Sequence, residues 1–117
     1  MITIAKEFTF DAAHHLPLTP DGHKCKRMHG HTYRVELRCN GPVRADGMVI
    51  DYADISIAWW PVHDLIDHRC LNDIAGLENP TTEILAPWLL AKLATALPCL
   101  VSVRVYESAS TWCEATP

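Results

Sequence analysis

The sequence lacks long apolar runs, has few glycines and shows no excess of positive charge. No apolar stretch reaches the roughly 18 residues that a membrane-spanning helix needs. With five glycines and 49% hydrophobic residues among 117, the composition is that of a globular chain, not of a disordered or fibrous one. The formal net charge of −4 argues against a nucleic-acid-binding protein. We therefore expect a single domain over residues 1–117, with neither nucleic acid nor a membrane as its partner.

Paired cysteines and a leader peptide are also missing. The chain has five cysteines, an odd number, and no two of them are spaced as C-x-x-C. The first residues, Met1 to Glu7, contain neither the basic nor the apolar region of a secretory signal. Reduced thiols in the cytoplasm fit these observations better than a secreted disulfide scaffold does, so we expect a cytoplasmic protein.

Alternation of apolar and polar residues predicts the strands. The clearest alternation covers Ile2 to Phe10, His31 to Cys39 and Leu100 to Glu107. A shorter strand is predicted over Met48 to Ile50, after a turn at Asp46-Gly47. The tail that follows Ser108 has no pattern to which we assign a structure.

Helical periodicity predicts two helices. The first is expected over about residues 52–66, with Asp51 or Asp54 as its cap, and the second from Thr81 or Thr82 to about residue 97. The expected buried faces carry Ile55, Trp59, Val62 and Ile66 on the first helix and Leu85, Trp88, Leu89, Leu93 and Ala96 on the second. Pro61 and Pro87 fall inside these patterns and predict kinks. This order of elements indicates an α+β fold, an antiparallel sheet with two helices on one face and exposed edges suited to self-association.

Histidine is concentrated in one short region. Five of the seven histidines lie between His14 and His31. His29 and His31 are two residues apart, so on a strand they share one face, with Cα atoms roughly 6–7 Å apart. A third imidazole from His14 or His15 would complete a three-histidine zinc site with an open position, the pattern of catalytic zinc. An isolated histidine is usually an ordinary polar residue, but three at this spacing favour a metal site.

A thiol and several cations adjoin the histidines. Cys25 lies between Lys24 and Lys26, with Arg27 next, and these neighbours favour the thiolate that a base or nucleophile requires. The same cations could bind a phosphorylated substrate. The plainer interpretation is an idle thiol in a solvated basic loop.

Two further acidic positions could take part in chemistry. Asp67 precedes His68, and a carboxylate beside an imidazole can orient it for acid–base work. Glu107 ends the last predicted strand, where its two oxygens could accept hydrogen bonds from a heterocycle. Taken singly, each could equally be a surface charge.

Together these features resemble the 6-pyruvoyltetrahydropterin synthase superfamily, and within it the 6-carboxytetrahydropterin synthases of queuosine biosynthesis. The segments that carry the resemblance are F-D-A-A-H at 10–14, C-K-R-M-H-G-H at 25–31, D-G-M-V-I-D-Y at 46–52, I-D-H-R-C-L-N-D at 66–73, N-P-T-T-E at 79–83 and Y-E-S at 106–108. The resemblance implies the tunnelling fold (T-fold), a four-stranded antiparallel sheet with two helices. It also implies a barrel closed by oligomerisation, most simply a homohexamer made of two trimers.

The resemblance also implies roles for individual residues. The zinc ligands would be His14, His29 and His31, which selects His14 over His15. Cys25 would accept a proton, and Asp67 and His68 would form a relay pair. Glu107 would anchor the pterin ring, near which Thr81, Thr82 and Glu83 would lie. We add Lys24, Lys26 and Arg27 as candidate triphosphate contacts, on charge alone.

The implied reaction is the zinc-dependent conversion of 7,8-dihydroneopterin triphosphate to 6-carboxy-5,6,7,8-tetrahydropterin, acetaldehyde and triphosphate. Two alternatives remain at this point. One is 6-pyruvoyltetrahydropterin synthase activity from the same site. The other is a non-catalytic module that binds zinc or a pterin.

Overall fold

A computed structural model describes residues 1–117, and its regular elements follow the predicted order with two strands added and one predicted strand absent. The strands are β1 (Ile2–His14), β2 (His29–Gly41), β3 (Arg69–Cys70), β4 (Leu100–Tyr106) and β5 (Trp112–Ala115). The helices are α1 (Tyr52–Ile66) and α2 (Thr82–Leu93), and short 3₁₀ turns cover Lys24–Lys26 and Leu71–Asp73. Neither helix has the length and apolar character that crossing a bilayer requires.

The strands form one mixed sheet in the order β3-β1-β2-β4-β5. The long β1–β2 ladder is antiparallel and pairs every residue from Ile2 with Gly41 to His14 with His29. β3 pairs in parallel with only Ala12 and Ala13, so the edge of β1 from Ile2 to Phe10 has no strand beside it. The sheet therefore keeps a long open edge, the kind of edge that natural proteins cover or pair.

Both helices begin at the predicted caps. The Asp51 side chain accepts a hydrogen bond from Ala53 N–H at 2.8 Å, and the Thr81 hydroxyl accepts one from Ile84 N–H at 3.3 Å. Pro61 and Pro87 lie inside continuous helices. The carbonyls that these prolines leave without a helical partner belong to exposed residues, Ile57 and Glu83, so water can satisfy them. Neither proline splits its helix, and the kinks remain a prediction.

The hydrophobic core lies between one face of the sheet and both helices. Phe10 stacks on Tyr33 with ring centroids 4.8 Å apart, and Phe8 stacks on Trp59 at 5.1 Å. Buried residues of the strands and of both helices belong to one contiguous cluster. Each large side chain in it contributes roughly 1.5–3 kcal/mol of burial free energy, which fixes β1 and β2 under the helices.

Three details of the predicted fold were wrong, and a segment to which no structure was assigned forms a strand. The sheet has five strands and one parallel pair instead of four antiparallel strands. Residues 48–50 form no strand, because the Met48 carbonyl accepts a hydrogen bond from the Arg44 N–H within the turn, while Ile50 packs against the core. The tail after Ser108 contains β5, which pairs with β4. α2 ends at Leu93, so Ala96 is exposed, while Trp88 is half-buried and its indole N–H donates to the Ala75 carbonyl at 3.2 Å.

Candidate functional site

Three imidazoles converge at the end of the β1–β2 ladder. His14 pairs directly with His29, and Ala12 pairs with His31, so strand alternation places the three rings on the core-facing side of the sheet. Their ring centroids are 4.5 to 5.0 Å apart. His14 is fully buried, whereas His29 and His31 are half-buried and face a cleft.

The hydrogen bonds behind two of the rings determine their tautomers. His14 Nδ1 lies 3.0 Å from the Pro80 carbonyl oxygen, and His29 Nδ1 lies 2.7 Å from the Arg27 carbonyl oxygen. Because a carbonyl can only accept, each Nδ1 must carry a proton and donate. Both Nε2 atoms then present lone pairs to each other across 2.9 Å. That arrangement is repulsive between neutral rings and is relieved by a cation placed between them.

Glu107 brings a carboxylate to the same place. Its Oε1 lies 2.9 Å from His31 Nε2, yet the geometry is poor for a hydrogen bond, so the buried Nε2 is left without a partner. The ligand atoms of His14, His29, His31 and Glu107 all lie within 4.8 Å of one another. Orphaned nitrogen atoms beside a carboxylate are what a metal ion would satisfy.

These residues fit a metal ion of the zinc type. Three imidazole nitrogens with an acidic neighbour suit zinc and other divalent transition metals. Ligand histidines usually donate their second N–H to a carbonyl, as His14 and His29 do. Burial lowers the pKa of His14, and the nearby His29 and His31 lower it further, while the hydrogen bond to the Pro80 carbonyl raises it. The net lowering favours the neutral ring, which is the form that binds a metal.

Cys25 shares a cleft with the imidazole cluster. The cleft has a volume of about 410 Å³ and is lined by Lys24, Cys25, Arg27, Met28, His29, His31 and Glu107. The 3₁₀ turn that carries Cys25 is held by the Cys25 N–H, which donates to His23 Nδ1 at 3.1 Å. A thiol, two cations and the open side of the cluster therefore face one volume of solvent.

Asp67 and His68 form a close pair directly after α1. Asp67 Oδ2 accepts a hydrogen bond from His68 Nδ1 at 2.8 Å, and Asp67 Oδ1 accepts one from the Asp11 N–H at 3.0 Å. These two bonds hold the pKa of Asp67 below its ordinary value, and the bond from the Asp11 amide has the larger effect. The same pairing raises the pKa of His68. The imidazole is 76% exposed and lines a second cleft of about 600 Å³.

The backbone of His68 is unusual. Its φ of 56° is in the left-handed region, and every other residue with positive φ is a glycine. The position comes one residue after the C-cap of α1, where helices commonly adopt this conformation with glycine.

Comparison with known proteins identifies the relatives of this chain. The sequence model of the 6-pyruvoyl tetrahydropterin synthase family matches residues 3–117. The chain belongs to this family. It is 43% identical over 115 residues to the 6-carboxy-5,6,7,8-tetrahydropterin synthase of Synechocystis sp., covering 92% of this chain and 88% of that protein.

Two further relatives widen the comparison. Over 96 residues the chain is 33% identical to the dihydroneopterin monophosphate aldolase of Pyrococcus furiosus, with 82% of this chain and 78% of the relative covered. The solved structure of Caenorhabditis elegans 6-pyruvoyl tetrahydropterin synthase superposes with a TM-score of 0.91 at 26% identity, covering 99% of this chain and 95% of that one. The family thus includes more than one named activity.

The predicted site residues of this family member fall into separate places. The smaller cleft is lined by Cys25, His29, His31 and Glu107, with His14 buried, whereas His68 lines the larger cleft. His31 lines both clefts. Asp11, which bonds the Asp67–His68 pair, alternates with the buried Phe10 and Ala12, so its side chain leaves the sheet on the face opposite the histidine cluster.

Four predicted substrate contacts lie outside both clefts. The ammonium of Lys26 bonds Asp21 at 2.6 Å, and the Thr82 hydroxyl donates to Glu83 at 2.7 Å. Thr81 caps α2. The segment of Thr81, Thr82 and Glu83 directly follows Pro80, whose carbonyl accepts a hydrogen bond from His14.

Sequence reasoning missed two residues that shape the site. The buried Tyr33 hydroxyl lies 3.2 Å from His14 Nδ1, and burial, with the Glu107 charge, raises the pKa of this phenol. The signal was available, because Tyr33 extends the H-x-H alternation by one further step. The second residue, Asp11, is part of the quoted F-D-A-A-H segment, but its bonds to residues 67 and 68 depend on a parallel bridge that the sequence does not reveal.

Proposed function

We propose that this protein is a 6-carboxy-5,6,7,8-tetrahydropterin synthase of queuosine biosynthesis. It converts 7,8-dihydroneopterin triphosphate and water to 6-carboxy-5,6,7,8-tetrahydropterin, acetaldehyde and triphosphate. Family membership and the 43% identity to the Synechocystis enzyme support this assignment. The structural observation that carries it is the cluster of three imidazoles with unpaired nitrogen atoms, open to a cleft that also holds a thiol.

The proposed cofactor is zinc, held by His14, His29 and His31 through their Nε2 atoms. When bound, zinc supplies Lewis acidity that makes the hydroxyl and C–H bonds of the substrate side chain easier to deprotonate. The protein contributes the fixed tautomers of His14 and His29 and the buried position of His14. These features orient the ligand atoms before any ion arrives.

Cys25 is the proposed base of the smaller cleft. Its thiolate removes a proton from the substrate side chain, and the cations of Lys24 and Arg27, which line the same cleft, meet the triphosphate. Lys26 remains a weaker candidate for this contact because its ammonium is paired with Asp21. Glu107 is proposed to anchor the pterin, with Thr81, Thr82 and Glu83 nearby in the assembled protein.

The Asp67–His68 pair supplies the second proton transfer in this proposal. Within one chain His68 lines one cleft and Cys25 lines the other, and His31 borders both. A homo-oligomer, proposed as a hexamer of two trimers, would bring the His68 of one subunit to the cluster of another. The free edge of β1 supports such an assembly, since it offers unpaired backbone groups to a neighbouring sheet. Five free thiols support a reducing, cytoplasmic location.

The decisive experiment is product analysis. Zinc-loaded protein is incubated with 7,8-dihydroneopterin triphosphate, and products are identified by mass. The proposal requires the carboxy product and acetaldehyde, with turnover lost after metal removal and restored by zinc. A pyruvoyl product without acetaldehyde would establish the second candidate, which the close superposition on the Caenorhabditis elegans structure favours.

Two parallel reactions separate the remaining alternatives. A Cys25→Ala variant should keep bound metal and lose turnover. A wild type that binds pterin but never turns over would instead indicate a non-catalytic module. Incubation with dihydroneopterin monophosphate tests the activity named for the Pyrococcus furiosus relative.

A further inference from the structure

One residue of β1 contacts both members of the Asp67–His68 pair. The parallel bridge between Ala12 and Arg69 places the two preceding residues, Asp11 and His68, side by side. The His68 N–H donates to the Asp11 carbonyl at 2.6 Å, and the Asp11 N–H donates to Asp67 Oδ1 at 3.0 Å. The backbone of Asp11 thus ties the end of α1 to the sheet.

The side chain of Asp11 is held as well. Its Oδ1 accepts a hydrogen bond from the Thr32 hydroxyl at 2.5 Å, and Thr32 is its direct partner across the β1–β2 ladder. The carboxylates of Asp11 and Asp67 and a ring nitrogen of His68 lie within 4.8 Å of one another. Two carboxylates therefore flank a single imidazole.

We propose that Asp11 is a positioning residue for His68. Its backbone orients the Asp67–His68 pair, and its carboxylate is a second negative charge that stabilises the protonated imidazole. The inference depends on the proposed function, in which His68 transfers a proton. Thr32 has a subordinate role, since it holds the Asp11 carboxylate in place.

The surroundings of His68 agree with this role. The pKa of His68 is raised first by its hydrogen bond to Asp67 and then by the charges of Asp67 and Asp11. The titratable groups around the pair are Asp11 on β1, His31 on β2, His63, Asp64 and Asp67 at the end of α1, and Arg69 and Cys70 on β3. Of the three acidic groups, Asp67 and Asp11 are the two whose charges raise the pKa of His68.

The test is Asp11→Asn, which keeps the shape, the backbone bonds and an acceptor for Thr32 but removes the charge. NMR titration of the His68 imidazole should give a pKa below that of the wild type. The inflection of the pH–rate profile that belongs to His68 should move to lower pH. We expect kcat to fall roughly fourfold, the effect of a unit charge near 5 Å from an exposed group, while KM changes by less than about twofold.

Control variants separate this role from a structural one. Asp11→Glu should restore both the titration and the rate, because it returns the charge. Glu7→Gln is the matched control, since it removes a carboxylate from the same face of β1, where Glu7 pairs with Arg34, and it should change neither readout. Thr32→Val should shift the His68 titration in the same direction as Asp11→Asn, but less.

Two results would overturn the inference. One is a His68 titration and pH profile identical in Asp11→Asn and wild type. The other is the loss of one bound metal ion per chain in Asp11→Asn, which would make Asp11 a cation ligand instead. If the wild type forms no carboxy product, the proposed function fails, but the NMR titration needs no turnover and still decides the role of Asp11.

Discussion

The histidine cluster and the Asp67–His68 pair are built in opposite ways. The histidines of the cluster lie on the core face of two paired strands, and His14 is fully buried. Backbone carbonyls accept hydrogen bonds from His14 and His29 and so fix these two rings. The pair lies beyond the end of a helix, and its imidazole is 76% exposed and has its ring hydrogen-bonded to Asp67. The histidine cluster is therefore organised by contacts within the chain, whereas the Asp67–His68 pair is exposed at the surface.

This difference indicates how the two regions should respond to change. A metal-binding cluster needs several nitrogen atoms aimed at one point, so rigidity and exclusion of water help it. A proton-transfer group needs access to its substrate and a pKa near the working pH. Variants of the cluster should therefore remove metal and activity together, whereas variants of the pair should remove activity alone.

The largest effect is expected from His29→Ala. Loss of a direct ligand should lower metal affinity by more than the roughly 10–100-fold that loss of a supporting partner costs, and turnover should vanish with the metal. Metal titration and elemental analysis measure the change. His15→Ala is the matched control, because His15 contacts Asn72 through its backbone and lies outside the cluster. Unchanged metal binding in His29→Ala would refute the cluster as the metal site.

His68→Ala should have the next largest effect. Removing a proton-transfer group should lower kcat roughly 10²–10⁴-fold while the metal content stays at the wild-type level. Steady-state kinetics and elemental analysis on the same preparation check both statements. Loss of metal in His68→Ala would erase the contrast between the two regions.

Mixing the two inactive variants sharpens the same contrast. If the cluster of one subunit works with the His68 of another, co-refolded His29→Ala and His68→Ala chains should regain activity that neither has alone. No recovery in a mixed oligomer would mean that both regions must come from one chain.

A smaller effect is expected in the cation-lined cleft beside the cluster. Lys24→Ala should raise KM about tenfold, because a charge-assisted contact to phosphate is worth about 1.5 kcal/mol. Lys26→Ala, which removes a neighbouring ammonium already paired with Asp21, should raise KM less. Saturation kinetics on both variants make the comparison, and an unchanged KM in Lys24→Ala would remove the triphosphate role.

The smallest effect concerns stability at the exposed pair. The folded-state pKa of His68 is raised, so the stabilisation from its bond to Asp67 is complete below the ordinary histidine value of 6.5 and disappears as pH rises through the raised value. Because the pKa of Asp67 is lowered, the stabilisation that its carboxylate contributes is lost only in strong acid. The Tm of wild type should therefore exceed that of His68→Ala at about pH 5.5, with the gap narrowing by about pH 9. A constant gap would show that the pair is not ionised in the fold.

The local parts of this structure were predictable from the sequence. α1 spans the predicted residues, and its four expected core residues are buried, because apolar periodicity and the Asp51 cap act within one segment. The shared face of His29 and His31 follows from strand alternation in the same way. Spacing alone left His14 and His15 as alternatives, and the fold places only His14 in the cluster.

The remaining parts depend on contacts between distant segments. β3 has two residues and β5 has four, too few for a periodic pattern, and both exist because longer strands lie beside them. The approach of Glu107 to His31 and of Asp11 to His68 likewise depends on strand pairing. Such pairings are decided by the whole sheet, so the residue types could suggest partners but could not select them.

The left-handed backbone of His68 has an evolutionary consequence. A side chain in this conformation costs roughly 1–2 kcal/mol relative to glycine, which is the usual residue after a helix C-cap. Selection for thermal stability alone would favour glycine at position 68, whereas the proposed proton transfer requires an imidazole there. We therefore expect sequences designed only to fold to place glycine at this position, at the cost of the proposed chemistry.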